Sequence, residues 1–195
     1  MQLKITNARI VLDNEIRHGE MGIDDSKIQT IADSVGSAKQ TIDADGQYVL
    51  PGVIDSHVHF NDPGRSEWEG IATGSRALAA GGGTMFIDMP LNSSPPTLDA
   101  VGFDAKLAVA QKTSLTDFAL WGGLTPINLD HMEALALRGV IGFKAFMSAS
   151  GIDDFPRSDD TTLKRGMQIA AQLGLLVAVH AEDEQMISRL SEEAA

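Results

Sequence analysis

The chain has 195 residues, 27 acidic against 15 basic side chains, a formal net charge of −12 and no cysteine. An acidic surface without a concentrated Lys/Arg run carries no electrostatic footprint for nucleic acid or an anionic membrane. The lack of cysteine excludes disulfides and thiolate metal sites, so any metal must be held by His, by carboxylate or by a less usual donor.

The N-terminus "MQLKITNARIVLDNEI" alternates apolar and polar residues and lacks the continuous apolar core of a signal peptide, and no later stretch approaches a membrane span. A cytoplasmic protein is the expectation. Up to about Leu50, short alternating runs separated by "DNE", "DDS" and "DADG" read as a small antiparallel β unit, residues 1–50. At "VLPGVIDSHVHF" the character changes, placing a domain boundary near Pro51 and a second domain over 51–195.

In this second part short apolar strands are predicted at Val53–Phe60, Thr84–Leu91, Asp117–Leu124, Val140–Met147 and Leu175–Ala181, each typical of a sheet buried on both faces. Helical patterns lie between them, with capping-type residues at Ser66, Thr97 and Asn128 and a stop at Gly174. Strands that recur every ~25–35 residues with a helix between them are the signature of right-handed βα units. Five units fit either part of an eight-stranded barrel or a doubly wound open sheet.

His57 and His59 stand at i and i+2 of the first of these strands, so both imidazoles project from one face at its C-terminal end. Two neutral imidazoles so placed can ligate a divalent cation, although core histidines satisfied by hydrogen bonds are an equally good reading of so short a motif. Lys144 lies in the middle of the apolar run "VIGFKAFM", where an unpaired ammonium is costly to desolvate. Either it snorkels or pairs with a carboxylate, or it loses its proton and reacts with carbon dioxide to give a carbamate able to bridge two metals. His180 ends the last strand in "LLVAVHAED", on the same side. "SGIDDFP" reads as a mobile loop, Asp55 and Glu182 as candidates for orienting the imidazoles, and Arg65 as a loop residue that positions substrate or pairs with acids. His18 and His131 sit in polar surroundings and are given no role.

Taken together, "DADGQYVLPGVIDSHVHF", "GFKAF" and "VAVHAED" resemble the cyclic amidohydrolases, and "FNDPGRSEWEG" with "DMPLNSSPPT" look like the allantoinases among them. The resemblance implies an α/β fold, the N-terminal part of a TIM-type (β/α)8 barrel of about five βα units, preceded by a small β-sandwich segment. It implies two divalent metal ions, commonly zinc, with His57 and His59 on one, Lys144 as a bridging N6-carboxylysine and His180 on the other. Asn92 matches a position that touches substrate, although Asn after a strand is more often a turn residue. The implied reaction is ring opening of allantoin to allantoate, a small cyclic ureide being the partner, within a homo-oligomer of tetrameric type.

Dihydroorotases usually carry Arg where this chain has Asn61, and dihydropyrimidinases a Tyr where it has Ala149. Both departures favour the allantoinases; a hydantoinase or dihydropyrimidinase, a dihydroorotase-like enzyme and a non-catalytic scaffold remain as alternatives. The aspartate that shuttles protons in this family falls beyond residue 195. The chain is therefore expected to be an N-terminal portion of a longer enzyme, inactive alone, with no catalytic residue of its own.

Overall fold

A computed structural model describes residues 1–194. The chain divides into two units, Met1–Gly52 and Val53–Ala195.

In the first unit, β1 (Leu3–Val11), β2 (Ile16–Asp24), β3 (Lys27–Ala32) and β4 (Gln40–Asp43) form a sheet in the order β3-β2-β1-β4, with β5 (Tyr48–Val49) also paired to β1. Asp25 and Ser26 carry φ of 49° and 58°, the geometry of a two-residue hairpin turn whose twist matches the flanking strands. The sheet is mixed where the sequence reads as antiparallel, because β4 and β5 both run parallel to β1. The reason lies in the connection after β3: it crosses the sheet with Val35 buried and the Val35 N–H donating to Glu20 Oε2 at 2.7 Å, so the chain enters β4 from the far end. Ala8, Ile10 and Met21 form the core of this sheet, flanked by Ile5, Ile23 and Ile31.

The second unit alternates strand and helix. Its elements are β6 (Val53–Val58), α1 (Ser66–Glu69), α2 (Ile71–Ala80), β7 (Gly83–Asp88), α3 (Ala100–Thr113), β8 (Asp117–Leu120) and β9 (Gly122–Gly123). There follow α4 (Met132–Leu137), β10 (Gly142–Phe146), α5 (Asp160–Gln172), β11 (Leu176–His180) and α6 (Glu184–Ala194). All strand pairs are parallel, in the orders β6-β7-β8 and β9-β10-β11. Trp121 joins the two runs: its N–H donates to Asp88 O at 3.0 Å, while Ile141 N–H donates to Leu120 O on the other side at 3.0 Å. The result is an open parallel arc; no closed barrel exists among the described residues.

Only part of this sheet is buried on both faces. All five residues of β10 are buried, whereas β6 and β11 are largely exposed because each has a strand neighbour on one side alone. Phe103, Leu120, Leu124, Met132, Leu135 and Phe143 pack the helices onto one face of the sheet. Met89, Leu91, Leu98, Trp121, Phe146 and Phe155 form a second cluster. No helix among the described residues is long and apolar enough to cross a membrane.

Three helix starts differ from the sequence expectation, each because of where the polar side chains place their hydrogen bonds. Ser66 is the first helical residue and donates its hydroxyl to Asp62; Gly70 is extended (φ −91°, ψ 165°), which breaks the predicted helix in two, and Asp62 Oδ2 accepts the Ile71 N–H at 2.7 Å to restart it. Asp99, not Thr97, caps α3 by accepting the Gly102 N–H at 2.8 Å. Asn128 caps nothing and is buried; its amide oxygen accepts from the Thr125 N–H and hydroxyl, and its amide nitrogen donates to Leu98 O and Gly123 O. "SGIDDFP" is likewise tied down, with Phe155 fully buried and the Ser150 hydroxyl donating to Phe155 O at 2.6 Å.

Two consequences can be measured. Asp99→Ala should cost about 1 kcal/mol in urea unfolding, the usual loss for removing an N-cap carboxylate. Asp159 caps α5 through the Thr162 N–H at 2.8 Å, and that bond holds its carboxyl below the ordinary 3.8. Its contribution is therefore complete above pH ~3.8 and fades as pH falls through the lower folded value, a slope that Asp159→Asn should flatten in acid unfolding.

Candidate metal centre

Parallel strands all end on the same side of their sheet, so residues at the C-terminal ends of β6, β7, β10 and β11 are gathered without any long-range design. His57 and His59 are brought together as the i, i+2 spacing requires, with ring centroids 5.4 Å apart and planes at 50°. His57 is exposed and its N–H donates to Asp55 Oδ1 at 3.1 Å. His59 is half-buried, and its Nδ1 is closed off from solvent without a hydrogen-bond partner. Asp55 thus bonds the backbone of His57 and not its ring, while Glu182 accepts the Ser148 hydroxyl.

Lys144 lies at the centre of β10, 4% exposed, paired in register with Gly123 on one side and Ala178 on the other. No carboxylate of the described residues stands within 4.0 Å of its Nζ. Instead Nζ lies 5.2 Å from the ring centroid of Phe146, the next residue on the same strand face. Phe146 in turn makes an edge-to-face contact with His180, its register partner on β11, at 4.8 Å between centroids. The same aromatic ring therefore neighbours both the amine and the third imidazole.

The electrostatics favour neutral bases. Burial pushes the Lys144 amine below its ordinary value. Burial is also the main cause that lowers His57, with the charges of Lys144 and His180 adding to it and Asp55 opposing; His59 is lowered by burial, then by His57, Lys106 and Lys144, with Asp88 opposing. Both imidazoles thus sense the Lys144 charge, and His59 senses His57 as well. Metal ligation and carbamate formation each need the deprotonated form, so the environment favours both.

Among the described residues no group of three or more His, Asp or Glu side chains is placed to hold a metal by itself. A divalent centre at this place would draw on Lys144 beside the imidazoles. The donor set fits one on two counts: an imidazole nitrogen buried without a partner, and, on a buried strand, an amine that no carboxylate of the described residues neutralises.

Around this set lie Asp88 and Lys106, which sequence reasoning did not single out, and several residues that it did. Asp88 ends β7 and forms a fully buried ion pair with Lys106 of α3, Nζ to Oδ2 2.6 Å. The signal was present: Phe103, Lys106 and Ala110 recur at helical spacing on one buried stripe of α3, and a lysine on such a stripe needs a partner. Asn92 adopts φ 70° in the loop after β7, where its backbone oxygen accepts from Arg65 at 3.2 Å; Arg65 also faces Asp154 at 3.9 Å. Asn61, likewise at positive φ (58°), is buried and donates its amide to Glu69 O. Ala149 is exposed.

A family model described as Amidohydrolase family matches residues 48–195, and the chain belongs to that family. It is 55% identical over 191 residues to the allantoinase of Desulfitobacterium hafniense (strain Y51), covering 97% of this chain and 42% of the relative. It is 50% identical over 195 residues to the allantoinase of Deinococcus radiodurans, covering 100% of this chain and 44% of that one. Among solved structures, L-hydantoinase (dihydropyrimidinase) from Arthrobacter aurescens superposes with a TM-score of 0.92 at 33% identity, over 98% of this chain and 43% of the other. The chain spans less than half the length of each of these three proteins.

If the His59 nitrogen is held for a metal, removing it should help the metal-free fold. His59→Leu should raise stability in metal-free urea unfolding by about 1 kcal/mol, because an unsatisfied buried polar atom costs ~1–3 kcal/mol, while Zn2+ uptake measured by calorimetry is lost. A destabilised metal-free variant would show that the nitrogen is satisfied. Because both imidazoles are lowered from 6.5, the folded chain binds fewer protons than the unfolded one as pH falls below that value. Metal-free stability should therefore decline on acidification below pH ~6.5, less steeply in the variant.

Proposed function

We propose that this chain carries the metal-binding part of an allantoinase-type cyclic amidohydrolase, which opens the ring of allantoin to allantoate. The observation that supports it most is Lys144: a lysine at the middle of a buried strand, without an anionic partner, beside two imidazoles that sense its charge. In this reading Lys144 is carboxylated on Nζ, His57 and His59 hold one divalent ion, His180 the other, and zinc is the metal. Two such ions activate a water and polarise the scissile carbonyl when bound.

The chain's own groups then have separate tasks. The half-buried face around His59 excludes water from one side of the substrate, and Phe146 shields the Lys144 arm from bulk solvent. Asn92, held at positive φ with its carbonyl tied to Arg65, offers its side-chain amide to the ureide. Asp88 is not free to move protons, since one oxygen accepts the Phe60 N–H and the other the Lys106 ammonium. The architecture proposed for the whole protein is a (β/α)8 barrel with a small β-sandwich formed in part by residues 1–50, assembled as a homo-oligomer.

A hydantoinase is the second reading, favoured by the superposition on L-hydantoinase. The higher identity to the allantoinases and the exposed Ala149 support the first. Turnover of allantoin, hydantoin and dihydrouracil by the protein in its native full chain separates the two: allantoin should be opened fastest, and a preference for dihydrouracil would overturn the assignment. Lys144→Ala should lower kcat/KM for allantoin about 10³-fold or more, since losing the metal pair removes several kcal/mol of transition-state stabilisation and each ~1.4 kcal/mol is tenfold.

A further inference from the structure

We propose that the buried Asp88–Lys106 ion pair is a wedge set into the β6–β7 ladder, and that it fixes the main-chain position of His59. The proposal rests on the reading of His59 as a metal ligand; Asp88 and Lys106 act as positioning residues, touching neither metal nor substrate.

The argument comes from the hydrogen bonds on either side of His59. Val58 pairs in register with Asp88, so His59 falls opposite Met89. In a parallel ladder the residue opposite His59 donates its N–H to the carbonyl before it and accepts from the N–H after it. The first rung is present, Met89 N–H to Val58 O at 2.8 Å. The second is not made. The Phe60 N–H donates instead to Asp88 Oδ1 at 2.9 Å; Asp88 Oδ2 accepts from Lys106 Nζ at 2.6 Å; and Lys106 Nζ donates to Met89 O at 2.7 Å.

A carboxylate and an ammonium are thus inserted in series where one direct backbone bond would lie. Both backbone groups stay satisfied, but β6 is held away from β7 just past His59, and β6 ends at Val58. Both charged side chains are at most 1% exposed, so the pair is not a solvated surface bridge that could move aside cheaply. Phe60 is locked on its other side as well: its ring stacks edge-on against Phe86 at 4.8 Å and fills the space over Gly74, where any Cβ would lie 2.3 Å from the ring. His59 therefore follows the strand between two fixed points, which set its main chain and the direction of its Cα–Cβ bond.

A pair that merely stabilised the fold could be replaced by apolar side chains of similar size at little cost. The test uses the double variant Asp88→Leu with Lys106→Met in the full chain. With the wedge gone, the Phe60 N–H can close directly onto Met89 O. The expected result is a variant that unfolds within a few degrees of wild type yet binds Co2+ at least tenfold more weakly, with an altered d–d absorption spectrum. A folded variant whose Co2+ affinity stays within twofold and whose spectrum is unchanged overturns the wedge. A wild-type chain that takes up no Co2+ overturns the metal reading, and this proposal with it. Should the variant fail to fold, labelled wild type decides: Zn2+ must shift the Phe60 amide and Lys106 ammonium resonances in step with the His59 ring, and ring shifts without them count against the proposal.

Discussion

A lysine at the centre of a buried strand is the constraint around which the second unit is organised. The residue is 4% exposed, and the fold offers its amine an aromatic ring in place of a carboxylate of the described residues. A charged amine so placed is driven toward its neutral form. The neutral amine is the form that ligation or modification needs, and His57 and His59 both stand near enough to sense its charge.

The ends of the parallel strands are held by polar side chains that are themselves buried. Asn128 spends its whole amide on four groups of the β7–α3 and β9 loops, Asp62 restarts a helix, and Asp88 with Lys106 replaces a rung of the sheet. Satisfied networks of this kind specify geometry; removing one partner from a buried ion pair leaves the other uncompensated, at roughly 3–5 kcal/mol. Against this background the buried groups left without partners stand out. Four of these five atoms, His59 Nδ1, Ser93 Oγ, Thr97 Oγ1 and Asp154 Oδ1, belong to segments that follow the C-terminal ends of strands, the side where the imidazoles gather, whereas Thr116 Oγ1 stands just before β8. Rigid, satisfied support beneath and unsatisfied polar atoms above is the arrangement of a binding surface.

The alternation of strands and helices was legible from residue 53 onward, since it rests on apolar runs and their spacing, which are local properties. The i, i+2 placement of His57 and His59 and the burial of Lys144 followed from strand periodicity alone. Helix starts were less legible. Ser66, Thr97 and Asn128 carry the residue types of N-caps, but Asp62 takes the Ser66 hydroxyl, Asp99 caps α3 in place of Thr97, and Asn128 gives its amide to Leu98 and Gly123. The parallel entry of β4 into the first sheet escaped for the same reason, because alternation gives a strand's faces and says nothing of its direction.

What the sequence by itself determined is the inventory: which strands carry the imidazoles, which carries the amine, that no thiolate takes part, and, through the order of its motifs, the family. What only the tertiary structure decided is which groups share an environment. That Phe146 meets His180 while neighbouring Lys144, that Lys106 reaches Asp88, and that Phe60 gives up its backbone partner are consequences of packing across 18 to 34 residues of chain. The physical reason is the range of the forces concerned: backbone propensity acts over a few residues, whereas desolvation and the pairing of buried charge depend on whatever the closed fold places within a few ångströms.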